Sequence, residues 1–162
     1  EEQLQWLYQA VKQPDVVAVG ECGLDKLRGA SMSLQQEVFR ACISLAEQMH
    51  LPLVVHAVKC TEELFRIHKE LKPQMPWIIH GFRGRKEVAE QYLKRGFYLS
   101  FGEHFHDEAL RSTPLERLLL ETDESRLSME EICRKAASVY GLPAEILAAR
   151  ITSNAQKVLF LQ

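Results

Sequence analysis

Carboxylate and imidazole side chains follow short apolar runs at four places in this sequence. The residues at these places are Glu21, His56, His80 and the segment from Glu121 to Asp123 (E-T-D). Two imidazoles and two carboxylates suit a divalent ion of the zinc or manganese type, and a carboxylate can bridge two such ions. One such residue alone is more often a hydrogen-bonded core or loop side chain, or a helix N-cap. Because the same placement recurs four times, the set favours a metal-binding or catalytic site.

The apolar runs are typical of buried strands, and helical patterns separate them. Thr61 and Ser128 are expected N-caps, and Gly96 is an expected C-terminal cap. The alternation indicates successive βα units with a parallel sheet, whose carboxyl edge is where such folds build their sites. Strands are predicted at 16–19, 53–55, 77–79, 97–101 and 118–120, and helices at about 4–11, 33–50, 61–71, 88–93, 107–111, 128–140 and 143–159.

Two α/β architectures fit this pattern: an open doubly wound sheet, or part of a (β/α)8 barrel. A complete barrel needs about 250 residues, so five units in 162 residues would form an incomplete one. The chain opens on Glu1, inside a helical pattern, rather than on Met, which favours a fragment of a longer protein. We expect one domain over residues 1–162.

Composition and charge place the chain among globular proteins. Hydrophobic residues make up 46% of it and charged residues 26%, and the formal net charge of −2 argues against nucleic-acid binding through overall charge. No apolar run approaches the roughly 18–20 residues of a membrane span, and no signal-peptide pattern opens the chain. Four cysteines lack C-x-x-C spacing, so we expect reduced thiols in a cytoplasmic protein: Cys22, Cys42, Cys60 and Cys133.

Several segments around these residues resemble the TatD family of metal-dependent hydrolases. Residues 20–25 (G-E-C-G-L-D) resemble its G-E-x-G-L-D signature, and residues 118–123 match its L-L-L-E-T-D. The apolar run ending in His56, residues 78–84 (I-I-H-G-F-R-G) and residues 152–155 (T-S-N-A) resemble three further family segments in the same order. The resemblance implies a (β/α)8 TIM-type barrel of the amidohydrolase kind, with about five C-terminal βα units in this chain. Such proteins are usually described as deoxyribonucleases.

The resemblance also implies roles for individual residues. Glu21 would bridge two divalent ions, and His56 and His80 would ligate one of them. Asp123 would bind the other ion while accepting a proton from the attacking water. Glu21 and Asp123 are thus expected to be catalytic, with two zinc, magnesium or manganese ions as cofactors. The ions would lower the pKa of the water and polarise the phosphoryl oxygen.

The chain departs from the family pattern where the first strand would carry an H-x-H pair. No counterpart precedes Glu1, so we expect an omitted N-terminal portion of about three βα units rather than a degenerate natural protein.

His104 and His106 form an H-x-H after the wrong strand for that pair, and we expect them in a polar loop that contacts substrate. Five basic residues favour an anionic, phosphate-bearing substrate. The alternative is that they form a solvated rim of surface charges. These residues are Lys26, Arg28, Lys59, Arg83 and Arg85.

The leading interpretation is a divalent-metal-dependent hydrolase that cleaves phosphodiester bonds in DNA. One alternative is the same metal chemistry on another ester, an amide or a lactone, since a scaffold does not set its substrate. The other is a non-catalytic metal- or anion-binding remnant that has lost the first strand. DNA or another phosphate-bearing molecule is the expected partner, and a membrane is not.

Overall fold

The computed structural model describes residues 2–160, which form two compact units, one extending to Trp77 and the other beginning at Ile78. Within residues 2–160, none of the helices is long and apolar enough to cross a membrane. In chain order the elements are α1 (Glu2–Ala10), β1 (Val19–Asp25), α2 (Met32–Met49), β2 (Leu53–Val58), α3 (Thr61–Leu71), β3 (Trp77–Ile79), α4 (Lys86–Leu93), β4 (Tyr98–Phe101), α5 (Asp107–Ser112), a 3-10 turn (Leu115–Arg117), β5 (Leu118–Leu120), α6 (Met129–Tyr140) and α7 (Ala144–Leu159).

In the first unit, β1 and β2 lie parallel, and α2 and α3 pack on them. The register pairs Val19 with Leu53 and Gly23 with His56, and it shifts between Val19 and Cys22. A Cβ at position 23 would lie 2.0 Å from the His56 carbonyl oxygen, so only glycine permits this approach of the two strands. The glycine therefore fixes the backbone of β1 against that of His56.

In the second unit, β3 pairs with β4 and β4 with β5, all parallel. The register places Ile79 beside Leu99 and Ser100 beside Leu119. All four residues of β4 are buried, as expected for a parallel strand covered on both faces. Ser100 is thus a polar residue in an apolar strand, and its hydroxyl needs a partner.

The T-S-N-A segment near the end of the chain lies on α7 of this unit. Asn154 is buried, and its side-chain amide donates hydrogen bonds to the carbonyl oxygens of Leu115 and Leu118. Since a buried carbonyl without a donor costs free energy, the asparagine stabilises the entry into β5. Its role in the described fold is structural.

The predicted strand at 16–19 is wrong in its bounds, because β1 begins at Val19 and continues through the G-E-C-G-L-D segment to Asp25. Glycine and acidic residues form strands poorly by local preference. Backbone pairing with β2 therefore makes this segment a strand. As a result Glu21 and His56 lie within strands and not after them.

Two predicted caps are wrong and one is confirmed. Cys60, not Thr61, is the N-cap of α3, since its carbonyl accepts the first helical hydrogen bond. Helix α4 ends with Lys94 as its C-cap, and Gly96 makes its left-handed turn two residues later. Ser128 is the N-cap of α6, in a reciprocal capping box.

All four cysteines are free thiols in the described structure. Three of them are buried and Cys22 is half-buried. Burial raises the pKa of the Cys60 thiol to about 11, so this thiol is protonated and unreactive near neutral pH.

Candidate metal centre

The structure places the four predicted ligands in pairs, one pair in each unit. Glu21 is the third residue of β1 and His56 the fourth of β2. His80 directly follows β3, and Asp123 lies three residues beyond the end of β5. The two acids are exposed, whereas the two imidazoles are half-buried. Each unit thus contributes one imidazole and one carboxylate of the predicted set.

In the second unit, an imidazole and two carboxylates converge. The ligand atoms of His80, Glu121 and Asp123 lie within 4.8 Å of one another. His80 Nδ1 is 3.3 Å from Glu121 Oε1, and the two side chains are 11% and 18% exposed. One imidazole nitrogen with two carboxylates is a donor set that zinc and manganese accept. These residues therefore fit a divalent ion by type and by proximity.

Glu121 directly follows the last predicted strand, but the sequence interpretation gave a site role only to Asp123 of this segment. Its Oε1 accepts a hydrogen bond of 2.7 Å from the Gly81 backbone N–H, and its Oε2 accepts one from the Ser100 hydroxyl. Gly81 has a φ of 57°, a left-handed conformation that glycine adopts without strain. A signal was present, since Glu121 stands directly after the apolar run ending at Leu120.

Asp123 reaches the same cluster from a tight turn after β5. Its φ is 42°, a left-handed conformation that aspartate tolerates better than most residues. The Ser125 N–H closes the turn by donating to the Thr122 carbonyl oxygen over 2.7 Å. Asp123 is therefore held close to β5 although it lies outside the strand.

In the first unit, His56 faces another carboxylate that the sequence interpretation did not assign. His56 Nε2 is 3.4 Å from Asp25 Oδ2, and the His56 side chain is 41% exposed. Asp25 Oδ1 accepts hydrogen bonds from the backbone N–H groups of Leu27 and Arg28 at 2.7 and 3.0 Å. Chiefly the Leu27 N–H holds the pKa of Asp25 below its ordinary value, and His56 adds to this. The loop after β1 is thus folded around Asp25.

The side chain of Gln35 holds the same loop from α2. Its Oε1 accepts a hydrogen bond from the Asp25 N–H at 2.7 Å. Its Nε2 donates to the carbonyl oxygens of Asp25, Arg28 and Ala30. Because one glutamine ties both ends of this loop, the position of Asp25 depends on α2.

Of the five basic residues predicted to bind phosphate, Lys26 already has an acidic partner. Lys26 Nζ is 2.7 Å from Glu63 Oε1, and this carboxylate raises the pKa of Lys26. The charge of Lys26 is therefore largely neutralised within the first unit. The other four are exposed and follow strands β1, β2 or β3: Arg28, Lys59, Arg83 and Arg85.

The H-x-H of His104 and His106 lies in the loop between β4 and α5. His104 is 66% exposed, and its Nε2 is 2.8 Å from Oε1 of the neighbouring Glu103. Oε2 of Glu103 accepts a hydrogen bond from Ser125 Oγ, so this carboxylate joins the loops after β4 and β5. His106 is exposed and is the residue before α5. Contact of either histidine with substrate stays a prediction.

A family model and two curated relatives each match most of this chain. The family model for TatD related DNase matches residues 1–160. A Bacillus subtilis protein named as an uncharacterized metal-dependent hydrolase, YabD, is 39% identical over an alignment of 132 residues that covers 76% of this chain and 52% of that protein. The 3'-5' ssDNA/RNA exonuclease TatD of Citrobacter koseri is 33% identical over 83% of this chain and 56% of its own. The chain spans about half the length of these two curated relatives.

Solved structures show the same fold. The TatD homolog YJJV from Escherichia coli superposes with a TM-score of 0.86 and 24% identity, over 98% of this chain and 70% of that one. A TatD family hydrolase from Entamoeba histolytica gives a TM-score of 0.85 at 20% identity, over 99% and 68% of the two chains. The predicted fold class is confirmed: an α/β chain of the TIM-barrel type with about five βα units.

Proposed function

The chain belongs to the TatD family of metal-dependent hydrolases, and on this premise we propose that the protein hydrolyses phosphodiester bonds in DNA with the help of divalent metal ions. One observation carries the proposal. In the second unit, the ligand atoms of His80, Glu121 and Asp123 lie within 4.8 Å of one another. Within this cluster His80 and Asp123 supply an imidazole and an exposed carboxylate near strand ends, a pair that suits metal-assisted hydrolysis.

We assign the metal-binding roles by residue type and by family motif. Glu21, His56, His80 and Asp123 would hold two ions of zinc, magnesium or manganese, with Glu21 as the carboxylate shared between them. Bound ions would lower the pKa of a water molecule and polarise the phosphoryl oxygen of the substrate. Support comes from the placement of each residue on a strand or shortly after one.

Asp123 would accept the proton of the attacking water. Its side chain is exposed, so water reaches the carboxylate. The turn closed by Ser125 keeps it beside His80 and Glu121. A carboxylate positioned in this way typically contributes about 100-fold to 10,000-fold to a rate as a general base.

The exposed basic residues would bind the phosphate groups of the substrate. Arg28, Lys59, Arg83 and Arg85 are suited to this by charge and exposure, and Lys26 less so because of Glu63. His104 and His106 are further proposed contacts in the loop after β4. The name of the Citrobacter koseri relative, a 3'-5' ssDNA/RNA exonuclease, favours a single-stranded nucleic acid over other phosphate esters.

The proposal also covers organisation and location. We assign residues 1–162 to one hydrolase domain, because the family model extends across both compact units. We place the protein in the cytoplasm, since free buried thiols are typical of a reducing compartment.

The test is metal-dependent cleavage of a labelled single-stranded DNA oligonucleotide by the full chain. Wild type, Asp123→Asn and Asp15→Asn would be compared with Mn2+ and with a chelator. Asp15 is an exposed acid of the first unit outside the proposed site, so it is the matched control. We expect a rate lower by about 100-fold or more for Asp123→Asn, an unchanged rate for Asp15→Asn, and no cleavage with the chelator. Equal rates for wild type and Asp123→Asn would refute the proposal.

Other substrates decide between the alternatives. Hydrolysis of a chromogenic ester that depends on Asp123, without cleavage of DNA, would support the same chemistry on another bond. Binding of Mn2+ without hydrolysis of any substrate would support a non-catalytic metal-binding role.

A further inference from the structure

We propose that Glu121 is a positioning residue for His80: it accepts a hydrogen bond from the His80 Nδ1–H and so directs Nε2 to the metal. The proposal rests on the proposed function, in which His80 is a metal ligand. Glu121 is not among the metal ligands assigned from the family motifs, so the proposal gives it a separate role. It also specifies which ring nitrogen faces the ion.

The first support is the fixed position of the Glu121 carboxylate. The Gly81 N–H holds Oε1 at 2.7 Å and the Ser100 hydroxyl holds Oε2. Ser100 is 5% exposed in a strand whose four residues are all buried. A hydroxyl in such a place requires an acceptor, and Glu121 is the acceptor that it has. The carboxylate is therefore oriented before any metal binds.

The second support is the ring nitrogen that Glu121 faces. His80 Nδ1 lies 3.3 Å from Glu121 Oε1, within hydrogen-bond reach. A neutral imidazole carries one proton, so a proton on Nδ1 leaves Nε2 with the lone pair. Metal-binding histidines commonly donate their other N–H to a carboxylate, which fixes the tautomer and the ring orientation.

A direct metal–Glu121 bond is the competing arrangement. The ligand atoms of both residues are close enough for one ion, and His80 would then bind through Nδ1. In the proposed arrangement the Gly81 and His80 N–H groups both donate to Oε1 and the Ser100 hydroxyl donates to Oε2, so the orientation of the carboxylate does not require an ion. The two arrangements differ in which nitrogen of His80 carries the proton, and that is measurable.

The test is nitrogen NMR of the full chain labelled with 15N-histidine. In the metal-free protein at mildly alkaline pH, we expect the His80 signals of the Nδ1–H tautomer. In Glu121→Ala the Nε2–H form should replace it, while Glu121→Gln, which keeps an acceptor oxygen, should retain the Nδ1–H form. Ser100→Ala is the milder second variant, to be used if Glu121→Ala does not fold. It should weaken the preference of His80 for the Nδ1–H tautomer. An Nε2–H tautomer in the wild type would overturn the proposal.

Zn2+ titration of the same samples separates this proposal from the proposed function. We expect Zn2+ to shift the Nε2 signal of His80, and Glu121→Ala to weaken Zn2+ binding by about 10- to 100-fold. Glu116→Gln, an exposed acid in the turn before β5, should bind Zn2+ like the wild type. Coordination through Nδ1 would overturn the positioning role and leave the hydrolase proposal intact. No Zn2+ binding by the wild type would refute the metal function, and the tautomer would still decide the role of Glu121.

Discussion

Two histidines of this protein each face a carboxylate at similar distance but in different surroundings. His56 lies 3.4 Å from Asp25 in the first unit, and His80 lies 3.3 Å from Glu121 in the second. The His56 side chain is 41% exposed and that of His80 only 11%. The two histidines therefore differ in solvation, although their distances to the carboxylates are similar.

The two carboxylates also differ in what holds them. Glu121 is bonded to a buried strand hydroxyl and to a backbone N–H, whereas Asp25 is bonded to two N–H groups of an exposed loop. Water can replace a loop N–H as a partner, but it cannot reach the hydroxyl of Ser100 as easily. The second unit thus presents a pre-ordered pair, and the pair in the first unit depends on the loop that Gln35 ties to α2.

The largest expected difference is in stability. Glu121→Ala leaves the Ser100 hydroxyl and the Gly81 N–H without their acceptor, so we expect the free energy of unfolding to fall by about 3 kcal/mol. Asp25→Ala should cost clearly less, because water reaches the N–H groups of its loop. Urea unfolding of both variants at one pH measures the two losses. Equal losses would show that the pairs are built alike.

A smaller loss is expected when only one donor to Glu121 is removed. Ser100→Ala keeps the Gly81 N–H bond to the carboxylate, so we expect a loss of about 1 kcal/mol in the free energy of unfolding. Ser138→Ala, an exposed change on α6 of the same unit, is the matched control and should stay within about 0.5 kcal/mol of wild type. A Ser100→Ala protein as stable as its control would mean that this hydrogen bond contributes nothing.

A further difference concerns phosphate binding. Among the described residues Arg83 has no ion-pair partner, whereas Lys26 is paired with Glu63. We expect Arg83→Gln to weaken oligonucleotide binding and to lower the salt slope by about one, and Lys26→Gln to do less. Fluorescence anisotropy at several salt concentrations measures both effects. A larger effect of Lys26→Gln would contradict this order.

The smallest expected effect is the acid sensitivity that Asp25 contributes. The pKa of Asp25 is held below its ordinary value of 3.8, chiefly by the Leu27 N–H. The ionised form therefore stabilises the fold above that value, and this contribution is lost as pH falls through the lowered pKa. The stability difference between wild type and Asp25→Asn should accordingly shrink below about pH 4. Thermal unfolding across this range tests it, and a constant difference would contradict it.

The sequence predicted those parts of the site that depend on local pattern. Strands at 77–79 and 118–120 are continuous apolar runs, and they are strands in the structure. His80 and the E-T-D segment stand just after them, so their placement at strand ends followed from the order of residues. The choice of Asp123 within that segment followed from the family resemblance. The parallel βα organisation followed from the same alternation.

What the sequence did not predict depends on partners that are distant along the chain. The strand character of G-E-C-G-L-D comes from pairing with β2, against the local preferences of its residues. The role of Glu121 depends on Ser100, 21 residues earlier, and on Gly81, 40 residues earlier. Tertiary hydrogen bonds of this kind leave no periodic signal in the sequence.

The most direct test of the central claim is to locate a bound ion. Crystals of the full chain would be soaked with Mn2+ and measured for anomalous scattering. We predict an anomalous peak bonded to the imidazole of His80 and to the carboxylate of Asp123. Ions that bind neither of these side chains would contradict the assignment of this cluster as the metal centre.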